Sequence, residues 1–120
     1  MTIIPQVLAF TMVQNKGAAW SLLQDMPYLL AGIAAIFSIA LLVLIFKKTF
    51  SHKLEWIILG LLLGGTMGNL LDRLQFGSVT DFIHLLLFPT YPVFNIADIW
   101  ICSAVSLIFF GGVKGLWQKN

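Results

Sequence analysis

Gly64-Gly65-Thr66-Met67-Gly68-Asn69-Leu70-Leu71-Asp72-Arg73 closes a long apolar run, and its reading decides how the rest of the chain is understood. Residues 54–63, just before it, carry Glu55 as their only charge. Polar groups then accumulate, through Val79-Thr80-Asp81-Phe82-Ile83 to Phe94-Asn95-Ile96-Ala97-Asp98. This region holds three of the five acidic residues and the only arginine. A charge near the centre of a bilayer costs about 2.5–3.5 kcal/mol on insertion scales. Carboxylates set beside apolar spans therefore need a reason, and Asp81 and Asp98 read as a working pair.

Working outward, the composition agrees with a membrane protein. The 120 residues are 59% hydrophobic and 10% charged, against about 25% charged in soluble domains. A single domain over residues 1–120 follows from the length. The net charge of +2 does not imply nucleic acid, because the basic residues gather at the ends of spans. Cys102 is the only cysteine, so no internal disulfide forms; inside an apolar run it reads as a small buried hydrophobe. Residues 1–12 lack a basic leader region and are broken by Pro5, so no cleavable signal peptide is expected.

Three spans are predicted. Pro27, tolerated in a first helical turn, opens a span over about 27–46, uncharged from 28 to 46 and long enough to cross. A basic loop with Lys47, Lys48, His52 and Lys53 leads to a second span over about 54–71. There Gly60, Gly64 and Gly68 recur every fourth residue, which predicts one bare face for close helix packing. The third span covers about 94–113, with Trp100 and Trp117 near its ends. Residues 1–26 read as an extended or β segment with a turn at Asn15-Lys16-Gly17. The fold class expected is an all-α membrane protein of three transmembrane helices with a small outer-side extended or β segment. Lys47, Lys48, Lys53, Lys114 and Lys119 fall on one side, and Lys16 and Arg73 on the other. The excess of basic residues places the 47–53 loop and the C-terminus in the cytoplasm. Asp25, Asp72, Asp81 and Asp98 then share the outer side.

Two carboxylates around one water are the equipment of an aspartic protease. Like charges at about 3 Å cannot both ionise, so the pair holds a proton between them. Asn95 and Asp98 are three apart and share a helix face, as do Asn69, Asp72 and Arg73 if their helix continues that far. Blander readings stand beside this one. Asn95-x-x-Asp98 is also a helix N-cap with an acidic third position, and Asp72-Arg73 is also an interfacial ion pair. The glycines serve helix packing. His52 and His84 fall on opposite sides, so a metal site built on them is not expected. Ser21 with Lys16 makes a poor serine–lysine pair.

In order along the chain, Asn15-Lys16-Gly17-Ala18-Ala19-Trp20-Ser21, the 64–73 stretch, Gly77-Ser78-Val79-Thr80-Asp81-Phe82-Ile83 and Phe94-Asn95-Ile96-Ala97-Asp98 resemble the signature blocks of the lipoprotein signal peptidases, or signal peptidase II. The resemblance covers essentially the whole chain. It implies Asp81 and Asp98 as the catalytic dyad. Asn15, Asn69, Arg73 and Asn95 would support the site or contact substrate, and Asp72, Gly64 and Gly68 would be structural. The implied substrate is a bacterial prolipoprotein with a diacylglyceryl group on its lipobox cysteine, cut just before that cysteine in the inner membrane, with no metal or other cofactor. Trp20 stands where the family usually has Phe. The family has four spans against three here, the first helix having no counterpart, and lower stability is expected in consequence.

Other classes fit less well. A channel or transporter subunit would spread its ionisable groups through the depth of the bilayer, whereas Asp72, Asp81 and Asp98 cluster near one end. An inactive relative that binds lipidated peptide is distinguished only by assay. The chain is not itself a lipoprotein substrate, because Ile99-Trp100-Ile101 precedes Cys102 where small residues would be needed.

Overall fold

The computed structural model describes residues 1–18, 22–24 and 26–113. Strands β1 (Thr2–Ile4) and β2 (Leu8–Asn15) are followed by helices α1 (Pro27–Phe46) and α2 (Lys53–Phe76). Strand β3 (Val79–Leu85) and helix α3 (Ile96–Val113) complete the chain. Trp20, Ser21, Asp25 and the residues from Lys114 onward, which include Trp117 and Lys119, lie outside the described residues.

The helices begin and end for local reasons. Pro27 sits in the first turn of α1. A reciprocal cap opens α2: His52 Nδ1 accepts from the Leu54 amide at 3.1 Å, and Glu55 Oε1 accepts from the His52 amide at 3.2 Å. Its end differs from the sequence expectation of residue 71. The helix runs on through Asp72 and Arg73 and stops at Gly77, whose φ of 70° is left-handed and whose amide donates to the Arg73 carbonyl at 2.9 Å. Charge marks where apolar surroundings end, not where helical hydrogen bonding ends. At α3 the start lies at Ile96 rather than residue 94. Helices α1 and α2 are long and apolar enough to cross a membrane, and α3 is a shorter apolar helix.

The middle helix is α2, packed against α1 on one side and α3 on the other. Its approach to α3 depends on glycine. A Cβ on Gly65 would lie 2.6 Å from the Ala97 carbonyl oxygen, and one on Gly64 would lie 2.6 Å from the Trp100 ring. At Gly68 it would meet Ala97 Cβ at 3.3 Å, while Gly60 meets nothing within 4 Å. The close face is therefore 64, 65 and 68, and Gly60, expected on it, is turned away. Gly65→Ala is expected to destabilise by about 1–3 kcal/mol, because the atom in the way is backbone and cannot rotate aside. Gly60→Ala should be neutral or slightly stabilising. Thermal melts of the two variants in detergent check the ranking; equal shifts would remove it.

The strands form one antiparallel sheet of order β1-β2-β3. Asn15 pairs with Val79, Gln14 with Thr80, and Val13 with Asp81, after which an irregularity separates Val13 from Phe10. The stretch between the second and third predicted spans, for which no element was expected, thus contains a strand. The signal lay in Val79-Thr80-Asp81-Phe82-Ile83, a β-branched and aromatic run between Gly77-Ser78 and Pro89. The buried apolar residues are few and mostly modest in size, among them Ala31, Leu41, Leu70 and Ala104. Ile36, Ile39, Phe46 and Phe109 point outward. An apolar exterior on long helices suits a hydrocarbon solvent.

Candidate active site

Four elements converge where α2, β3 and α3 meet. The end of β2 supplies Asn15. The last turns of α2 supply Asn69 and Arg73, one helical turn apart. Asp81 comes from β3, and Asn95 and Asp98 from the entrance of α3. Pairing with β2 fixes which face of β3 turns inward, and Asp81 lies on it, only 2% exposed. Asn95 is 6% exposed.

The hydrogen bonds form a connected chain. Asn95 Nδ2 donates to Asp81 Oδ1 at 3.0 Å and to Asn69 Oδ1 at 2.9 Å. Asn69 Nδ2 donates in turn to Asp98 Oδ1 at 3.0 Å. Two amides therefore link the two carboxylates. Asp81 Oδ2 accepts from Asn15 Nδ2 at 3.0 Å, and Asn15 is itself held by the Gly17 amide, which donates to its Oδ1 at 2.9 Å. Asp98 Oδ2 accepts from the Asn95 amide at 3.1 Å, while Asn95 Oδ1 accepts from the Asp98 amide at 3.0 Å. That exchange is a reciprocal N-cap. The capping reading and the site reading of Asn95-x-x-Asp98 are therefore one arrangement, in which the cap positions the carboxylate.

Burial raises the Asp81 carboxyl from its ordinary 3.8 to about 6. The hydrogen bond from Asn15 opposes this, the negative charge of Asp98 adds to it, and Arg73 and Asn95 oppose it further. Arg73 Nη2 donates to the Gly17 carbonyl at 3.4 Å, and its buried Nε meets no acceptor among the described residues. Asp72 turns elsewhere: its Oδ2 accepts from the Thr80 amide at 3.3 Å. The neighbours Asp72 and Arg73 thus point to different partners, and Asp72 ties α2 to the strand residue just before Asp81.

A cavity of about 250 Å³ opens at this point, walled by Asn15, Asn69, Arg73, Asp81, Asp98 and Cys102. Tyr91 and Phe94, in edge-to-face contact at 5.7 Å, also line it. A larger apolar groove of about 550 Å³ along α3 shares Tyr91, Phe94, Asp98 and Cys102 with it. Cys102, expected to be buried, is exposed. It lies one helical turn beyond Asp98 and so on the same face.

A family profile for signal peptidase (SPase) II matches residues 1–114. The chain belongs to the signal peptidase II family. Two solved bacterial membrane enzymes, determined by the in meso method at 2.3 and 1.9 Å resolution, are similar to it. The first has a TM-score of 0.89 and 33% identity over 100% of this chain and 74% of its own. The second has a TM-score of 0.82 and 32% identity over 100% of this chain and 76% of its own. Family and apolar helices together point to a multi-pass membrane protein of a peptidase family.

Sequence reasoning singled out Asn15, Asn69, Arg73, Asp81, Asn95 and Asp98, and the fold brings all six together. It missed Thr80, Gln14 and Tyr91. Gln14 Oε1 accepts from the hydroxyls of Ser78 at 2.9 Å and Thr80 at 3.3 Å, which fastens β2 to the start of β3. Only the strand pairing brings these residues together. His52 caps α2 and His84 pairs with Ala9 within the sheet. Among the described residues no group of three or more His, Cys, Asp or Glu is placed to hold a metal ion.

Proposed function

We propose that this chain is an intramembrane aspartyl endopeptidase that removes the signal peptide from diacylglyceryl-modified prolipoproteins, cutting just before the lipidated cysteine. The observation that carries the reading is the linked pair: Asp81 and Asp98 line one cavity and are joined through Asn95 and Asn69. In the reaction, the ionised carboxylate takes a proton from water as the oxygen attacks the scissile carbonyl. The protonated partner donates its proton to the carbonyl oxygen, giving a gem-diol. Collapse of that intermediate breaks the C–N bond, and the leaving amine takes up a proton from the pair. The amides of Asn15, Asn69 and Asn95 keep both carboxylates fixed, so little reorganisation is needed as charge moves. No metal takes part.

Three membrane crossings by α1, α2 and α3 belong to the same proposal. Lys47, Lys48 and Lys53 then mark the cytoplasmic side, and the aspartates face the outer side of the inner membrane. Incubation of the purified protein with a diacylglyceryl-modified prolipoprotein, with and without Asp81→Asn, is the direct test. Cleavage by the parent and none by the variant is expected, with a chelator changing neither.

The pH dependence follows from the buried carboxyl. Catalysis needs one proton on the pair, so kcat/KM should fall as pH rises through about 6. The Asn15 hydrogen bond holds the Asp81 value down, so Asn15→Ala should move that alkaline limb to higher pH. The sign for stability is the same: a carboxyl raised in the folded state binds more protons than in the unfolded state between the two values, so stability falls as pH climbs from 3.8 to about 6. A limb that stays in place in Asn15→Ala would separate Asp81 from the proton that matters.

A further inference from the structure

We propose that a second, polar cavity beside Asp81 reads the charge of the polypeptide substrate through Lys16, favouring an acidic side chain two or three residues beyond the scissile bond on the mature side. The proposal rests on the peptidase reading and adds to it a determinant of substrate choice.

Two cavities meet at Asp81. The one between the aspartates continues into the apolar groove along α3, where Leu85, Ile99 and Phe110 supply the walls. The other, of about 310 Å³, is bordered by Gln14, Asn15, Lys16 and Gln24, from the end of β2 and the segment after it and not from α3. Both cavities include Asn15, Asp81, Pro92 and Val93. A chain laid across the aspartates therefore has an apolar wall on one side and an amide-and-ammonium wall on the other. A signal segment is apolar and stays in the membrane. Its polar continuation is left for the second cavity.

That wall is built to donate. The Gln14 side chain is turned to the other face of the sheet, where its Oε1 accepts from the Ser78 and Thr80 hydroxyls, so the charge of this wall comes from Lys16. Lys16 adds three N–H donors and a full charge on a flexible four-carbon stem. Among the described residues the one carboxylate in the lining is Asp81, and its oxygens are engaged by Asn15 and Asn95. Lys16 follows Asn15 directly, so its backbone is about 3.8 Å along the chain from a residue bonded to Asp81. At about 3.3 Å per residue of extended substrate, the second and third residues after the cut lie within reach of a flexible four-carbon stem anchored there. The pair would be exposed, so a discrimination of about two- to fivefold is expected.

The test uses two diacylglyceryl-modified substrates, identical except for Asp or Lys at those positions, in bicelles of neutral lipid at low salt. The parent protein should cleave the Asp substrate about two- to fivefold faster in kcat/KM. In Lys16→Gln the ratio should approach one, and in Lys16→Glu it should invert. Salt at about 0.5 M should compress all three ratios. Each ratio is taken within one variant, so a change in the folded fraction cancels. A ratio that is the same in the parent and in Lys16→Glu overturns the proposal. So does a Lys16 effect that ignores substrate charge and appears only when phosphatidylglycerol is added, which would assign Lys16 to a lipid headgroup. Charge-blind cleavage overturns this inference alone, whereas no cleavage of either substrate by the parent overturns the peptidase reading with it.

Discussion

Asp81→Asn and Asp98→Asn are each expected to lower cleavage of a diacylglyceryl-modified prolipoprotein by about 10³-fold or more, in protein that stays folded. The expectation follows from the division of labour. In the proposed reaction one carboxylate accepts a proton from water while the other delivers one, and an amide can do neither. Asparagine keeps the size and polarity of aspartate, so the packing of β3 and the entrance of α3 should survive. The double variant should be little worse than either single one, because the two groups act as a unit. Asp72→Asn is the control. Its carboxylate accepts from the Thr80 amide and touches no reacting atom, so it should lower melting temperature more than turnover. Single-turnover cleavage with a parallel melt distinguishes the cases. Near-normal cleavage by a well-folded Asp81→Asn or Asp98→Asn sinks the dyad.

Asn95→Ala is expected to lower turnover by about 10²-fold and stability by about 0.5–2 kcal/mol, and the two losses should be separable. The side chain has two ends with two tasks. Its oxygen caps α3 by accepting from the Asp98 amide, and its nitrogen donates to Asp81 and to Asn69. Asn95→Ser retains an oxygen for the cap but has no amide to join the carboxylates. It should recover most of the melting temperature lost in Asn95→Ala and little of the activity. Asn95→Asp keeps the cap but sets a third carboxylate against Asp81, where like charges buried together repel. Equal recovery of stability and activity in Asn95→Ser would show that Asn95 acts through the helix cap alone.

Much of the cavity is legible in the order and spacing of its residues. Asn69 and Arg73 are one turn apart on a helix, and Asn95 and Asp98 lie within one turn of another. Such spacings place side chains on a common face wherever the helix goes. The extent of α2 is less legible. Asp72 and Arg73 look like the end of a span, and the helix in fact continues to Gly77, because backbone hydrogen bonding is indifferent to polarity. The glycine stripe misleads in part for a related reason. Recurrence every fourth residue describes α2 alone, while the face that matters depends on where α3 crosses, and that includes Gly65 but not Gly60.

The amino-acid sequence by itself determined that this chain is built of apolar helices, where the first of them starts, and which few polar residues need an explanation. These follow from local rules: residues too apolar for water, a proline at N1 of α1, acids rare enough to stand out. Only the tertiary structure decided that β3 exists as a partner for β2, and that this pairing turns Asp81 inward. It alone decided that an amide of α3 and an amide of α2 join the two carboxylates. Asn15 and Asp81 are 66 residues apart, and Asn69 and Asp98 are 29 apart. Contacts over such separations carry no periodicity of their own, because they depend on how packed elements meet and not on the dihedral preferences of either one.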